Sequence, residues 1–160
     1  MKSSKRSVRL VTCGAIGAAI IGGLGAPAAY AGENEASNLQ SMETCSKSPG
    51  NSAFKFHLFY NSGHTGAFRN IGYAVYDFGH VYIGVGDPDG GNPLRFCPGG
   101  TGAGKSVKNN AASASNTHSK YSATVYFNSG YKGASDRLGA GSFISRLKNT
   151  YNNNASFRWS

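Results

Sequence analysis

The sequence predicts an all-β fold, an antiparallel sandwich, and three observations carry that prediction. A phrase is used twice: Phe59-Tyr60-Asn61-Ser62-Gly63-His64-Thr65-Gly66-Ala67 returns as Tyr126-Phe127-Asn128-Ser129-Gly130-Tyr131-Lys132-Gly133-Ala134. Each copy is followed by a second phrase, Asn109-Asn110-Ala111-Ala112-Ser113 and then Asn152-Asn153-Asn154-Ala155-Ser156. Two matched phrases in the same order mark a duplicated supersecondary unit. Short aromatic and β-branched runs bounded by Asn-Ser-Gly turns read as hairpin strands. Finally, 23 glycines punctuate the chain and few segments keep a helical apolar face for ten residues, which points to a sandwich.

Residues 1–31 read as a signal peptide. Lys2, Lys5, Arg6 and Arg9 precede an apolar stretch from Leu10 to Leu24, and Ala29-Tyr30-Ala31 is a small-x-small cleavage site. The apolar run is too short and glycine-rich for a membrane span. Cleavage leaves 129 residues with 12 Lys+Arg against 7 Asp+Glu, a net charge of +5. The basic residues are thinly spread, so a solvated surface is expected rather than a nucleic-acid site. Cys45 and Cys97, an even pair in an exported chain, are expected to form one disulfide.

Residues 32–53 are polar and are expected to be a mobile leader tethered at Cys45, because they bury too little apolar surface to offset ordering entropy. The domain proper is expected over 54–160, with repeat one at about 54–118 and repeat two at about 122–160. Phe54–Tyr60 opens repeat one as a strand, Phe54, Phe56 and Leu58 facing the core and Lys55, His57 and Phe59 facing mostly solvent. Further strands are predicted at Tyr73–Phe78, Val81–Val85, Ser122–Phe127 and around Ser142–Ile144. Asp87–Pro93 is a turn or surface loop by composition. Repeat one is longer than repeat two by 24 residues between Ala67 and Asn109. Such an insertion is expected to be a loop, where function is often grafted.

Gly99-Gly100-Thr101-Gly102-Ala103-Gly104-Lys105-Ser106 fits the phosphate-loop pattern. Neither the preceding Phe96-Cys97-Pro98 nor the following Val107-Lys108-Asn109-Asn110 supplies the required strand and helix, so nucleotide binding is not expected. His57, His64, His80 and His118 show no metal-ligand spacing, and Asp87 and Asp89 lack the partners of a calcium loop. Asp77 and His80 read as exposed polar residues, and no G-x-S-x-G elbow is present. The chain is not expected to be an enzyme. Asn109, Asn110 and Ser113, with Asn152, Asn153 and Ser156, gather oxygens that a hard cation such as calcium can use. The same residues also suit backbone-bonded turns.

An aromatic strand, the hairpin Asn-Ser-Gly-x-x-Gly-Ala and Asn-Asn-x-x-Ser before a closing strand, twice over, resemble the βγ-crystallin Greek-key motif. Tyr60-Asn61-Ser62-Gly63 with Val107-Lys108-Asn109-Asn110-Ala111-Ala112-Ser113 is more closely similar to the secreted actinobacterial proteins grouped with the streptomycete metalloproteinase inhibitor. The resemblance covers about Phe54 to Trp159. It implies a two-motif βγ-crystallin-type Greek-key sandwich, extracellular, with peptidase inhibition as the family's named activity, so the expected partner is an extracellular protein, a peptidase. The chain itself is expected to be a monomer. It further implies weak calcium sites at Asn109, Asn110, Ser113 and at Asn152, Asn153, Ser156, with no other cofactor. The family signature ends in a further Ser, which this chain replaces with Ala114 and Phe157. Two other readings fit the sequence: a structural or calcium-responsive envelope or spore protein, and a small antimicrobial or glycan-binding protein.

Overall fold

Alternation of apolar and polar residues builds two antiparallel sheets that share one core. The computed structural model describes residues 32–84 and 91–160; the expected signal peptide, Asp87 and Asp89 lie outside the described residues. The first sheet has the order β2-β1-β3-β6, from β1 (Phe56–Phe59), β2 (Phe68–Ile71), β3 (Ser113–Asn116) and β6 (Phe143–Ile144). The second has the order β5-β4-β7, from β4 (Ala123–Asn128), β5 (Lys132–Leu138) and β7 (Ser156–Trp159). All named pairings are antiparallel.

The two repeats exchange their third segments. β6 of repeat two pairs with β3 of repeat one, Ile144 opposite Ala114. In return Val75 of repeat one bridges Phe157 on β7 through two N–H···O bonds of 2.8 and 2.9 Å. Each repeat is therefore a hairpin, a segment that crosses to the other sheet, and a strand that returns beside the first. This is the Greek-key arrangement.

The exchange continues in the core. Phe56 and Phe157, one from each sheet, stack with ring centroids 4.2 Å apart. The positions equivalent to them in the opposite repeats hold Ala123 and Ala114, both fully buried. The small side chains at these two positions leave room in the core for the stacked pair, consistent with close interior packing. Trp159 meets both rings edge-on, at 6.4 and 5.1 Å.

Four expectations are corrected. Residues 32–53 are not a loose leader. They form α1 (Gly32–Gln40) and two single 3-10 turns, Met42–Thr44 and Pro49–Asn51, and bury Glu35, Ala36, Asn38, Thr44 and Ser52. Polar contacts order them beside the packing of Leu39 against the core and the Cys45 disulfide. Asn38 accepts from the Gly72 and Tyr73 N–H groups and donates to the Tyr73 carbonyl. Second, the solvent face expected on β1 is absent, because all four residues are buried. His57 lies between Asn70 and Thr117, and Asn70 is held by the carbonyls of Glu43 and Lys47. The leader covers this face. Third, Tyr73–Phe78 and Val81–Val85 are not strands; only Val75 and Val81 form isolated bridges, and Val85 lies outside the described residues. Fourth, the insert is not simply a surface loop, as its inner residues Val81, Leu94 and Phe96 belong to the core.

Candidate functional site

The doubled phrase is hairpin construction, and both copies share one geometry. Gly63 and Gly130 have φ of 73° and 74°, His64 and Tyr131 both 60°, and Gly66 and Gly133 76° and 80°. These left-handed positions explain the glycines. The Gly63 N–H donates to the Ser145 carbonyl, and the Gly130 N–H to that of Tyr76, so each hairpin grips the segment that crossed over. A Cβ at Gly66 would meet Asn61 Nδ2 at 2.9 Å, and one at Gly133 would meet Asn128 Nδ2 at 2.8 Å.

The second phrase closes the same unit. Ser113 Oγ donates to the Asn61 carbonyl at 2.6 Å and accepts from the His64 N–H at 3.0 Å. Ser156 Oγ donates to the Asn128 carbonyl at 2.7 Å and accepts from the Tyr131 N–H at 3.0 Å. Asn109 and Asn152 take left-handed backbone, φ 62° and 52°, which Asn tolerates better than most residues. Asn110 and Asn153 donate to the carbonyls two residues back, Lys108 and Tyr151. The two loops meet each other: Asn109 N–H reaches the Asn154 carbonyl and Asn152 N–H the Ala111 carbonyl. Asn154, fully buried, donates to the carbonyls of Ala111 and Thr150.

This donor set does not suit a calcium centre. Both serine hydroxyls are held between two backbone groups, and neither loop contains a carboxylate. Ala114 and Phe157, at the last position of the signature, are fully buried and carry no oxygen ligand. Among the described residues no group of three or more His, Cys, Asp or Glu side chains gathers to hold a metal.

The insert breaks the duplication. Three passes of chain form a small meander: Val81 and Asn92 exchange two 2.8 Å bonds, Leu94 N–H donates to the Phe78 carbonyl, and Val107 N–H donates to that of Leu94. Phe96 N–H reaches the Lys105 carbonyl and Cys97 N–H the Phe68 carbonyl on β2. Cys97 is bonded to Cys45, with Cα atoms 5.3 Å apart. The disulfide thus joins the two segments that repeat two lacks. At the outer part of the meander Tyr82 and Ile83 are 46% and 43% exposed.

The phosphate-loop lookalike is the turn of this meander. Gly99, Gly100, Gly102 and Gly104 all have positive φ. Gly102 lies against the Tyr60 ring, where a Cβ would be 2.1 Å from Cγ. The Thr101 carbonyl accepts from the Ala67 N–H, so the loop is wired to the first hairpin.

Asp77 and His80 do meet, at 3.3 Å, and Lys108 Nζ lies 2.9 Å from Asp77. Burial opposes ionisation of Asp77, yet bonds from Lys108 and the Gly79 N–H hold its pKa below the usual carboxylate value. The group is a tether between the insert's start and the Asn109 loop. Composition gave no hint of two deeper groups. Glu35 Oε1 accepts from the Tyr76 N–H at 2.8 Å while Oε2 has no partner among the described residues. Burial, with Asp77 adding to it, pushes this carboxyl up to about 7 despite that bond. Burial likewise drives His57 down to about 4, although its bond to Asn70 resists.

No protein-family model matches the chain, and no curated protein matches it significantly. Among solved structures it is similar to a domain from work on the evolution of the eye-lens βγ-crystallin fold, at 14% identity and a TM-score of 0.47, covering 67% of this chain and 85% of that one. It is also similar to a βγ-crystallin from Ciona intestinalis, at 14% identity and a TM-score of 0.44, covering 66% and 99%. A βγ-crystallin domain from Flavobacterium johnsoniae gives 17% identity and a TM-score of 0.41, covering 66% and 92%. The strand pairing itself establishes the architecture: an all-β, two-sheet Greek-key protein.

Proposed function

We propose that this protein is a secreted, non-enzymatic binding module that recognises another protein through the outer part of the insert, and that the target is an extracellular peptidase. The observation that carries the reading is the insert's two-level construction. Its inner level, Val81, Leu94, Phe96 and Cys97, is buried and bonded to the first sheet, while Tyr82 and Ile83 stand exposed beyond it. A loop whose base is already ordered loses little conformational entropy on binding. Exposed aromatic and aliphatic side chains on such a base are suitable anchors for a partner's pocket. The peptidase as target rests on the resemblance of the hairpin and Asn-Asn phrases to the secreted inhibitor group.

The test is a panel assay. The exported chain, at micromolar concentration, is expected to slow at least one metallo-, serine or cysteine peptidase, and the double variant Tyr82→Ala, Ile83→Ser to lose at least tenfold in inhibition while melting normally. A panel in which no peptidase is slowed overturns the reading, as does full inhibition by the double variant.

A further inference from the structure

A groove lies away from the meander at 81–107, where the linker between the repeats crosses. A groove of about 560 Å³ is lined there by Phe54 and Lys55 before β1, Gly72 and Tyr73 after β2, His118 and Tyr121 in the linker, and Trp159 on β7. Its volume is within the range of small-molecule and chain-binding clefts, ~300–1,000 Å³. None of the lining residues belongs to the meander at 81–107.

The rings are held in place before any ligand arrives. Phe54 meets Tyr73 edge-to-face at 5.7 Å, and its ring occupies the space that a Cβ at Gly72 would need. His118 packs against Tyr121 at 4.8 Å and Trp159 at 5.3 Å. Trp159 Nε1 donates to the Gly72 carbonyl at 2.9 Å, which fixes the indole. His118 Nδ1 accepts from the Lys120 and Tyr121 N–H groups, at 2.9 and 3.1 Å. A nitrogen that accepts twice carries no proton, so Nε2 bears it. That donor, and the hydroxyls of Tyr73 and Tyr121, bond no other described residue.

We propose that this groove binds an acidic polysaccharide, its sugar rings on the aromatic walls and its carboxylates toward lysine. The apolar faces of a pyranose suit aromatic walls, and its hydroxyls suit the free imidazole and phenol groups. The lining holds Lys55 and no carboxylate, and Lys120 Nζ lies 5.3 Å from the Tyr121 ring centre. The adjoining carboxylate, Glu43, is engaged by the Ala53 N–H and Ser52 Oγ. The +5 net charge left after signal-peptide removal, 12 Lys+Arg against 7 Asp+Glu, attracts a polyanion over distance. A proline-rich peptide fits less well, because the indole N–H that such grooves offer to a peptide carbonyl is spent on Gly72. A nucleic acid fits less well too, since its affinity is assembled from many phosphate contacts and two lysines supply few.

Trp159 is the single tryptophan of the chain, so its emission reports on the groove directly. Titration with polygalacturonate oligomers is expected to give a saturable change in Trp159 emission that weakens as salt is added. Lys120→Ala and Tyr121→Ala, both at exposed positions, are expected to bind at least tenfold more weakly with unchanged circular dichroism. Phe143→Ala, exposed and on β6 away from the groove, is expected to bind as the parent does. No emission change with polygalacturonate overturns the proposal. So does an equal response to neutral cello-oligosaccharides, to a polyproline peptide or to oligo-dT, and so does full affinity in Tyr121→Ala. The readout is independent of peptidase inhibition, so either reading can fail without the other.

Discussion

Arg69 and Asp136 occupy equivalent positions in the two hairpins, opposite Leu58 and Val125, and each uses a charged side chain to hold chain that its own sheet does not contain. Arg69 donates to the carbonyls of Asn38 and Arg95 and reaches Cys45 Sγ at 3.5 Å, bolting leader to insert. Asp136 accepts from the N–H groups of Lys148, Asn149 and Thr150 and from the Thr150 hydroxyl at 2.8 Å. Both residues are 6% exposed. Removing either leaves buried backbone groups unpaired, a cost of about 1–3 kcal/mol per group. Arg69→Met and Asp136→Ala are each expected to lose roughly 2–4 kcal/mol by denaturant melts. Brief trypsin digestion separates them: Arg69→Met should be cut first at Lys47, Asp136→Ala first at Arg146 or Lys148. Identical cutting patterns would refute the assignment.

Glu35 and His57 give pH dependences of opposite sign over overlapping ranges. Glu35 is raised from 4.5 to about 7, so the unfolded state ionises first and stability falls as pH rises from about 4.5 to 7. His57 is lowered from 6.5 to about 4, so the unfolded state takes up the proton first and stability falls as pH drops from about 6.5 to 4. Each shift corresponds to roughly 3 kcal/mol. The parent is expected to keep nearly level stability between pH 4 and 7. Glu35→Gln, which retains an acceptor for the Tyr76 N–H, should become steadily less stable on acidification. His57→Gln should become more stable over the same range. Denaturant midpoints at several pH values read the slopes, and equal slopes in the two variants would be incompatible with this account.

The duplication and the Asn-Ser-Gly turns were legible because left-handed backbone leaves a residue-specific mark: glycine recurs at the same offset in both copies. The returning strands β2 and β5 were harder, since Arg69, Asn70, Ser135, Asp136 and Arg137 mask their strand character. Leader order was illegible for a different reason. Composition measures apolar burial, whereas in 32–53 Asn38 bonds the distant Gly72 N–H, and Ser52 and Glu43 bond backbone groups within the leader itself. The same limit applies to the groove, whose lining comes from four separated stretches that only the exchange of segments brings together.

The Asn-Asn-x-x-Ser phrase makes separate predictions for its two roles. If the serines serve the hairpins, Ser113→Ala and Ser156→Ala each leave a backbone N–H and carbonyl without a partner and should each cost roughly 1–3 kcal/mol. Asn109→Gly and Asn152→Gly, which suit the left-handed backbone, should be near neutral, whereas Asn109→Val should cost about 1 kcal/mol or more. Millimolar calcium should leave the melting temperature of the parent unchanged. A calcium-dependent rise that Asn110→Ala and Asn153→Ala abolish would instead establish a metal role.

The disulfide gives the last prediction, because it joins two segments that both lie outside the duplicated frame. Cys45 and Cys97 are 52 residues apart in sequence, and closing a loop of that length is worth about 4 kcal/mol on the chain-entropy model. The loop contains all of the first hairpin, so the bond restrains the unfolded chain more than it shapes either sheet. The pair Cys45→Ala, Cys97→Ala is therefore expected to fold with the same β circular-dichroism spectrum but lose roughly 3–4 kcal/mol in denaturant melts. Leader and insert should loosen together, since Arg69 then has only carbonyl partners there. Hydrogen exchange would show this as faster exchange at 32–53 and 92–107, with β4, β5 and β7 less affected. Faster exchange confined to β4, β5 and β7 would refute it.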